Sequence, residues 1–377
     1  MNLRRVRAVA RKEFLHVLRD PRSLLMAIGI PMMMLMLFGY ALTLDVDNVP
    51  VVVWDQSQTA VSRTLVARLD GSPYFSVIEY VENYRDLEWA IDNRQAMAAL
   101  VIPAEFAENL AVGRDAPIQF IVDGSDANTA TIAIGYAEVI TQIFSEEAVN
   151  AQLRSRGQPE LEIPVDVRSR VWFNADLESR NYIVPGLIAV IMMVISAMLT
   201  SLTVAREWER GTMEQLISTP VKGPELIFGK MVPYFTVGML DVLLAVLMGE
   251  FLFKVPLRGN VALLFGVAAM FMTGALAMGM VISIVTKSQL LASQVAMVST
   301  FLPSFVMSGF MFAIANMPKP IQIVTYIVPA RYFVALLKGI YLKGVGLEIL
   351  IGEAALLAAY GTVMIALANL KFKKKLV

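Results

Sequence analysis

The stretch TVAREWERGTMEQLISTPV, residues 203–221, decides how the chain is read. Residues 181–205 carry no charge at all, and then Arg206, Glu207, Glu209, Arg210 and Glu214 follow in quick succession. An uncharged run of that length fits a helix crossing a bilayer core about 30 Å thick, which needs roughly 20 apolar residues. The charges cannot follow it into lipid, so the stretch marks an aqueous boundary. Helix propensity is good from Arg206 to Leu216, and Pro220, Gly223 and Pro224 stop the pattern. The expectation is a short helix at or below the lipid headgroups. Its mixed charge, with Trp208 and Met213 interleaved, suits the docking of another protein; a plain connector lying among headgroups is the alternative.

Working outward, five more stretches are apolar enough to span: residues 24–44, 227–253, 261–286, 290–314 and 349–370. With residues 182–204 that makes six, and an even number puts both termini on one side. Composition agrees with a lipid setting, since 57% of the 377 residues are hydrophobic. Lys and Arg concentrate before the first span, around the quoted stretch and after the last span, sixteen in all with Lys287, against six in the opposite loops. Basic loops resist translocation, so both termini are expected to be cytoplasmic and the long insert between the first two spans to lie outside. The apolar run at 24–44 reads as a retained anchor rather than a cleaved leader.

Residues 1–22 place Leu3, Val6, Ala10, Phe14 and Val17 on one helical stripe with basic residues opposite, as an interfacial helix on anionic lipid would, or a helix packed on a partner. Asp20, Pro21 and Arg22 interrupt it. Residues 45–180 alternate β-branched runs (VPVVVWD, FSVIEYV, MAALVIP, PIQFIVDG) with helical segments beginning near Thr59, Asn83 and Ala104. A long helix over 127–156 and a last strand, LEIPVDVRSRVWF, complete an expected α/β domain. It holds 22 acidic and 10 basic residues, a balance that keeps a domain soluble and also attracts cations. The expected architecture is thus an α-helical integral membrane protein with six transmembrane helices and an extracytoplasmic α/β domain inserted between helices 1 and 2.

Several chemistries are excluded. There is no Cys, and the single His, His16, reads as a polar-face residue. The turn DGSDAN, residues 123–128, reads as a helix cap at Asp126 rather than an incomplete calcium loop. Lys plus Arg equals Asp plus Glu at 32 each, which gives no sign of a nucleic-acid partner. Within the spans, Asp241 is the deepest carboxylate, a candidate for cation contact or an inter-helix hydrogen bond; Glu250 and Glu353 fall near external ends. Ser196, Thr200 and Thr203 form one small polar stripe and Ser293, Thr300, Ser304 and Ser308 another, suited to close packing or to lining a pathway. Pro303 is expected to kink the fifth span. Residues 316–347, broken by Pro318, Pro320 and Pro329, read as two short helices dipping into the outer leaflet, with a seventh span as the rival.

The quoted stretch resembles the cytoplasmic coupling segment of ABC-2 type transporter permeases, in the multidrug-exporter-like branch with a large extracytoplasmic domain between its first two spans. ARKEFLHVLRDPRSLL at 10–25, VWFNADLESRNYIVPGLIA at 171–189 and VPARYFVALLKGIYLKGVGL at 328–347 resemble it too. Ala175 and Ala313 stand where such sequences often have Pro. The resemblance implies a half-transporter. A second permease chain, identical or not, would complete it, each chain would dock a cytoplasmic ATP-binding subunit, and a periplasmic adaptor is an optional further partner. The segment 206–219 would be the coupling helix, with Arg206, Glu207, Trp208, Glu209, Arg210, Gly211, Thr212, Met213, Glu214, Leu216 and Pro220 as docking residues. Asp241, Thr200, Thr300, Ser304 and Ser308 are candidate pathway residues. The chain itself is expected to bind no cofactor; ATP and Mg²⁺ are implied in the partner, since no G-x-x-x-x-G-K-[ST] loop occurs here. Export of a hydrophobic or amphiphilic compound is the leading expectation, a membrane-anchored sensor or adhesion protein the alternative, and ion-driven transport a third.

Overall fold

The structure, a computed structural model, describes residues 1–42, 46–155, 157, 159, 170–175 and 178–372, with the side chains of 21–23, 26 and 217 outside that description. The chain divides into two compact units, Leu44–Ser169 and a second made of Met1–Thr43 with Arg170–Val377.

In the first unit, β1 (Val49–Asp55), β2 (Phe75–Tyr80), β3 (Ala98–Ile102) and β4 (Gln119–Val122) form one sheet in the order β2-β1-β3-β4. β1 pairs in parallel with β2 and β3, and β3 pairs antiparallel with β4. Side chains alternate across a strand, and here both faces are covered. Val51 and Val53 point into a cluster with Leu65 and Leu69 of α3 (Ala60–Asp70), Phe106 of α5 (Phe106–Val112) and Ala133 and Phe144 of α6 (Ala127–Ser155). Val52 faces the other way, onto Leu87 and Ala90 of α4 (Tyr84–Asp92). That double coverage is why VPVVVWD is a continuous apolar run rather than an alternating one. Thr59 caps α3 in a reciprocal pair with Ser62, and Asn83 caps α4 through the Asp86 backbone N–H at 2.9 Å. Asp126 accepts from the Asn128 N–H at 3.1 Å and the Thr129 hydroxyl at 2.5 Å at the start of α6, so the DGSDAN turn is a helix cap. The Thr129 hydroxyl and N–H hold the Asp126 carboxyl below the usual carboxylate range. Of the expected last strand, residues 161–169 lie outside the described residues, and Arg170–Phe173 are not strand.

The second unit is helical. α1 (Leu3–Arg19) is followed by α2 (Pro21–Ala41), α7 (Ser179–Glu209), α8 (Thr212–Ser218), α9 (Gly223–Leu247), α10 (Val261–Thr286), α11 (Gln289–Met307), α12 (Lys319–Val324), α13 (Pro329–Lys338) and α14 (Leu347–Lys371). Among the described residues, five helices are long and apolar enough to cross a membrane: α7, α9 with the π turn that follows it, α10, α11 and α14. α2 has 21 residues, about the length a crossing needs. α7 is the central post, with 83% of its apolar window buried, against 22% for α11 and α14.

Helices in lipid gain little from hydrophobic burial against one another, so close approach of small residues carries the packing. α7 and α10 show this most clearly. A Cβ placed on Gly279 would sit 2.2 Å from the Ala197 carbonyl oxygen and 2.2 Å from Thr200 Oγ1, so only glycine permits that crossing. Thr200 donates to the Leu276 carbonyl at 2.8 Å, and Ser283 Oγ accepts from the Val204 and Ala205 N–H groups at 3.0 and 2.9 Å.

Two boundaries differ from the sequence expectation for a physical reason. α11 ends at Met307, not at 314, because Gly309 turns the chain at φ 78°. Phe310 then tucks in at 1% exposure, against Gly186 of α7. The Gly309 carbonyl accepts from Tyr182 at 3.1 Å and Lys338 at 2.9 Å. The apolar SGFMF run is thus a loop anchored by the buried Phe310, not a continuation of α11. α11 runs through Pro303 without ending. The pair formed by α12 with its 3₁₀ turn and α13 with its π turn is bent by 90°. Lys338 holds Gly309, and the Arg258 N–H donates to the Tyr341 carbonyl at 3.1 Å. The second half of the pair therefore meets the end of the bundle where Tyr40 of α2 meets Phe253 at 5.1 Å between centroids.

Candidate functional site

At the opposite end of the bundle the quoted stretch meets α1 and the turn between α10 and α11, both marked as basic by the sequence. The first four of its charged residues belong to the end of α7 and its cap: Arg206, Glu207 and Glu209 continue the span as helix, and Arg210 caps it. Gly211, at φ 68°, then breaks the chain before α8. The single helix expected over 206–216 is therefore two pieces, because a residue without Cβ takes the left-handed conformation at no steric cost and lets α8 turn away. A rigid extension of a membrane helix, followed by a hinge and a short helix, replaces one separate lever.

Glu207 is the centre of a half-buried ion network. Its Oε1 accepts from Lys230 Nζ of α9 at 3.1 Å and from Lys12 Nζ of α1 at 3.2 Å, while the Thr212 hydroxyl of α8 donates to Oε2. Lys230 also donates to Glu13 of α1 at 2.6 Å, with side-chain exposures of 2% and 7%. One ammonium thus joins α1, α7 and α9, and the Thr212 contact adds α8. Around it, Arg206 reaches His16 Nε2 at 3.0 Å and Gln289 Oε1 at 3.3 Å, and Glu209 accepts from the Gln289 N–H at 2.7 Å and side-chain amide at 2.5 Å. Lys287 Nζ lies 4.7 Å above the Trp208 ring. Glu225, at the start of α9, accepts from the Asn2 N–H at 2.7 Å and the Lys222 N–H at 2.9 Å, and Arg5 donates to the Pro220 carbonyl at 2.5 Å. Phe372 packs on Gly223.

The sequence-selected residues now separate. Met213 is buried at 2%, with Trp208 and Leu216 packed beside it, so they anchor the segment to the bundle. Glu207 is spent inside the chain, Arg206 is held by His16 and Gln289, and Glu209 is held by Gln289. Arg210, Gly211, Glu214 and Pro220 remain exposed, and Arg210 and Glu214 engage no other described residue through their side chains. Thr200 lies on the α7–α10 contact, where its hydroxyl is used in packing. Thr300 and Ser304 are buried on α11 and Ser308 at its C-terminal cap; Thr300 donates to the Ala296 carbonyl at 2.6 Å, and Ser304 Oγ has no partner among the described residues. Asp241 is 1% exposed, and neither oxygen has a hydrogen-bond partner there, so no inter-helix hydrogen bond is formed.

The end of the bundle at which α1, the 206–222 loop, the α10–α11 turn and the end of α14 converge is a composite of four chain segments. A model describing an ABC-2 family transporter protein matches residues 21–370. The chain belongs to the ABC-2 transporter family. The probable multidrug ABC transporter permease YbhS of Escherichia coli K12 is 40% identical over 377 residues, 100% of this chain and 98% of its own. The probable multidrug ABC transporter permease YbhR of the same strain is 28% identical over 348 residues, covering 92% of each chain. The inner membrane transport permease YhhJ, also of that strain, is 25% identical over 331 residues, 86% of this chain and 85% of its own. This ABC-2 permease is therefore a transporter subunit of the membrane, as the quoted stretches indicated.

Sequence reasoning missed Glu13, Lys230, Gln289 and Ser283, and placed His16 on a plain polar face. A signal was present for two of them. Glu13 is the only acid in residues 1–19 and Lys230 lies inside an apolar span, and a lone charge in such a place calls for an opposite partner. Which partner it finds depends on helix packing.

Proposed function

We propose that this ABC-2 permease moves a hydrophobic or amphiphilic compound out across a bacterial cytoplasmic membrane, driven by a separate ATP-binding subunit. The observation that carries the reading is the exposed polar surface of α8 and its hinge, Arg210, Glu214, Gln215 and Ser218, at the tip of the most buried span. A partner seated there acts on α7 through the anchoring of Met213 and the Thr212–Glu207 contact, and on the start of α11 through Glu209 and Gln289. ATP-driven closure of two such partners would then shift a pair of already rigid helices rather than bend a loop.

In this reading α2, α7, α9, α10, α11 and α14 are the six crossings, the composite end faces the cytoplasm together with both termini, and the α/β unit lies outside. The distribution of Lys and Arg supports that orientation. A second permease chain packs along α11, whose Leu291, Val295, Val298 and Leu302 form one exposed apolar face at 51, 43, 70 and 59%. The names of the relatives support a drug-like cargo. Asp241 remains the membrane carboxyl best placed to act on the cargo or a proton.

The test uses the full chain copurified with its ATP-binding subunit. Arg210→Glu and Glu214→Arg should each abolish transport-coupled ATPase while leaving membrane insertion and thermal stability unchanged. Undiminished coupled ATPase in both variants removes α8 as the docking element.

A further inference from the structure

Asp241 is a buried carboxyl to which the surrounding helices bring no counter-charge. It lies inside the span formed by α9 and its π turn, is 1% exposed, and neither oxygen has a hydrogen-bond partner among the described residues. The ionisable groups of the helices packed on α9 sit elsewhere. α10 carries no charged residue. Those of α7 are Arg180 at one end and Arg206, Glu207 and Glu209 at the other, and α2 has only Arg22, at its start. α1 brings Glu13 to Lys230, eleven residues or about 16 Å before Asp241 at 1.5 Å per residue, and its His16 is held at Arg206. α14 carries Glu348, Glu353 and Lys371 toward its ends, and its Tyr360 donates to Met278 Sδ at 3.0 Å. On α9 itself Tyr234 lies two turns before Asp241; beyond it, Tyr341 touches the π turn at Gly249, and Glu250 is exposed.

An ionised carboxylate without counter-charge or hydrogen bond is very costly in apolar surroundings, and such a group takes up a proton instead. Val242 and Ala245, beside Asp241 on α9, belong to the apolar core of the bundle. The packing of α9 is also the more pliable. α7 and α10 are fixed to each other by the Thr200 and Ser283 hydrogen bonds. α9 meets α10 where Met272 closes over Gly238, one turn before Asp241, so that a Cβ on Gly238 would collide with Met272 Cε. A thioether re-packs readily as its neighbours shift.

We propose that Asp241 is a proton-binding site, holding one proton while α9 is packed against α7 and α10 and giving it to water when α9 shifts and the carboxyl is wetted. The O–H bond breaks, its electron pair stays on the carboxylate, and the proton leaves as hydronium; closing the bundle again takes one proton up. Any cycle of the permease that moves α9 is thereby linked to a proton, in addition to the ATP used by a partner. Of the two roles left to Asp241 above, this is the proton rather than the cargo. The link to transport rests on the function proposed above, but the proton site does not rest on docking at α8, because the packing of α9 is a property of the permease alone.

The experiment uses the purified full chain in detergent without an ATP-binding subunit. At neutral pH the infrared carbonyl band of a protonated acid should be present in wild type and missing from Asp241→Asn, which keeps the shape and cannot ionise. The sequence contains no Cys, so Ala245→Cys, one turn beyond Asp241 and fully buried, is a unique reporter. Its rate of labelling by a water-soluble maleimide, divided by the rate for the same Cys in the Asp241→Asn background, cancels the titration of the thiol. Because the packed form holds the proton and the open form releases it, opening is favoured as pH rises, and the ratio should increase by up to about tenfold per pH unit, the slope for one proton. An ionised Asp241 in wild type at neutral pH overturns the proposal, and so does a ratio that does not change with pH. If Asp241→Asn does not fold, Asp241→Leu serves as the reference in both measurements. Failure of docking at α8 shows only in the Arg210 and Glu214 variants and leaves both of these readings unchanged.

Discussion

Replacing Lys230 by Met removes the ammonium that joins α1, α7 and α9 while keeping most of the stem that fills the space. The consequence differs for its two partners. Glu207 keeps Lys12 at 3.2 Å and the Thr212 hydroxyl. Glu13, with a side chain 7% exposed, has Lys230 as its only ion-pair or hydrogen-bond partner among the described residues and is left as a buried, unpaired carboxylate. Removing one member of a buried pair typically costs about 3–5 kcal/mol, most of it the penalty of the stranded charge. The expected loss for Lys230→Met is therefore about 3–5 kcal/mol, or roughly 10 °C of thermal midpoint for a unit of this size. Replacing both members by apolar groups should recover most of that loss, since a buried pair is worth little against well-packed hydrocarbon. Glu13→Leu with Lys230→Met should lie within about 1–2 kcal/mol of wild type, well above the Lys230→Met single variant. The assay is unfolding of the purified chain in detergent, followed by tryptophan fluorescence, for wild type, both single variants and the double variant. A loss under about 1 kcal/mol in Lys230→Met, or a double variant no better than the single, refutes the claim that ion pairing holds this end of the bundle together.

Further outcomes follow from other contacts. Gly279→Ala should destabilise by about 1–3 kcal/mol or more, since its methyl meets backbone rather than a movable side chain, whereas Gly266→Ala, with open space at its Cβ, should be neutral or stabilising in the same unfolding measurement. Asp241→Leu should raise stability by about 1–3 kcal/mol, because both carboxyl oxygens are buried without partners, and should abolish transport in a drug-accumulation assay if the carboxyl works on cargo or protons. Asp126→Ala should lower amide protection at the start of α6. Because the folded carboxyl titrates below its ordinary value, the stabilising cap is present above that value and lost as pH falls through the folded pKa, so the difference in protection between wild type and variant should vanish in acid.

Much of the fold was legible because two periodicities are strong. An uncharged run of twenty residues has few fates other than a span, and the boundary of α10 at Val261–Thr286 matches its apolar run residue for residue. Strands β1 to β4 and the helix starts near Thr59 and Asn83 were equally readable, since their signals are local. The end of α11 was not, because SGFMF is as apolar as a span and only the turn at Gly309 and the packing of Phe310 against Gly186 show that the helix stops.

For the candidate site the division is sharper. The residue types in 203–221 and their resemblance to a coupling segment identified the family, since composition and order survive without coordinates. Roles within that segment did not follow from type. Glu207 and Glu214 look alike in the chain, yet one is bound to Lys230 and Lys12 and the other stands in solvent. Which carboxylate is free to meet another protein depends on partners more than two hundred positions apart in the chain, such as Glu13 and Lys230, and only packing α1 against α9 brings those together. The sequence by itself determined which segments are apolar enough to cross a membrane and which are too polar for it, because transfer between water and hydrocarbon is a property of each segment alone. The tertiary structure decided which charges are spent and which are offered, because pairing is a property of two segments at once.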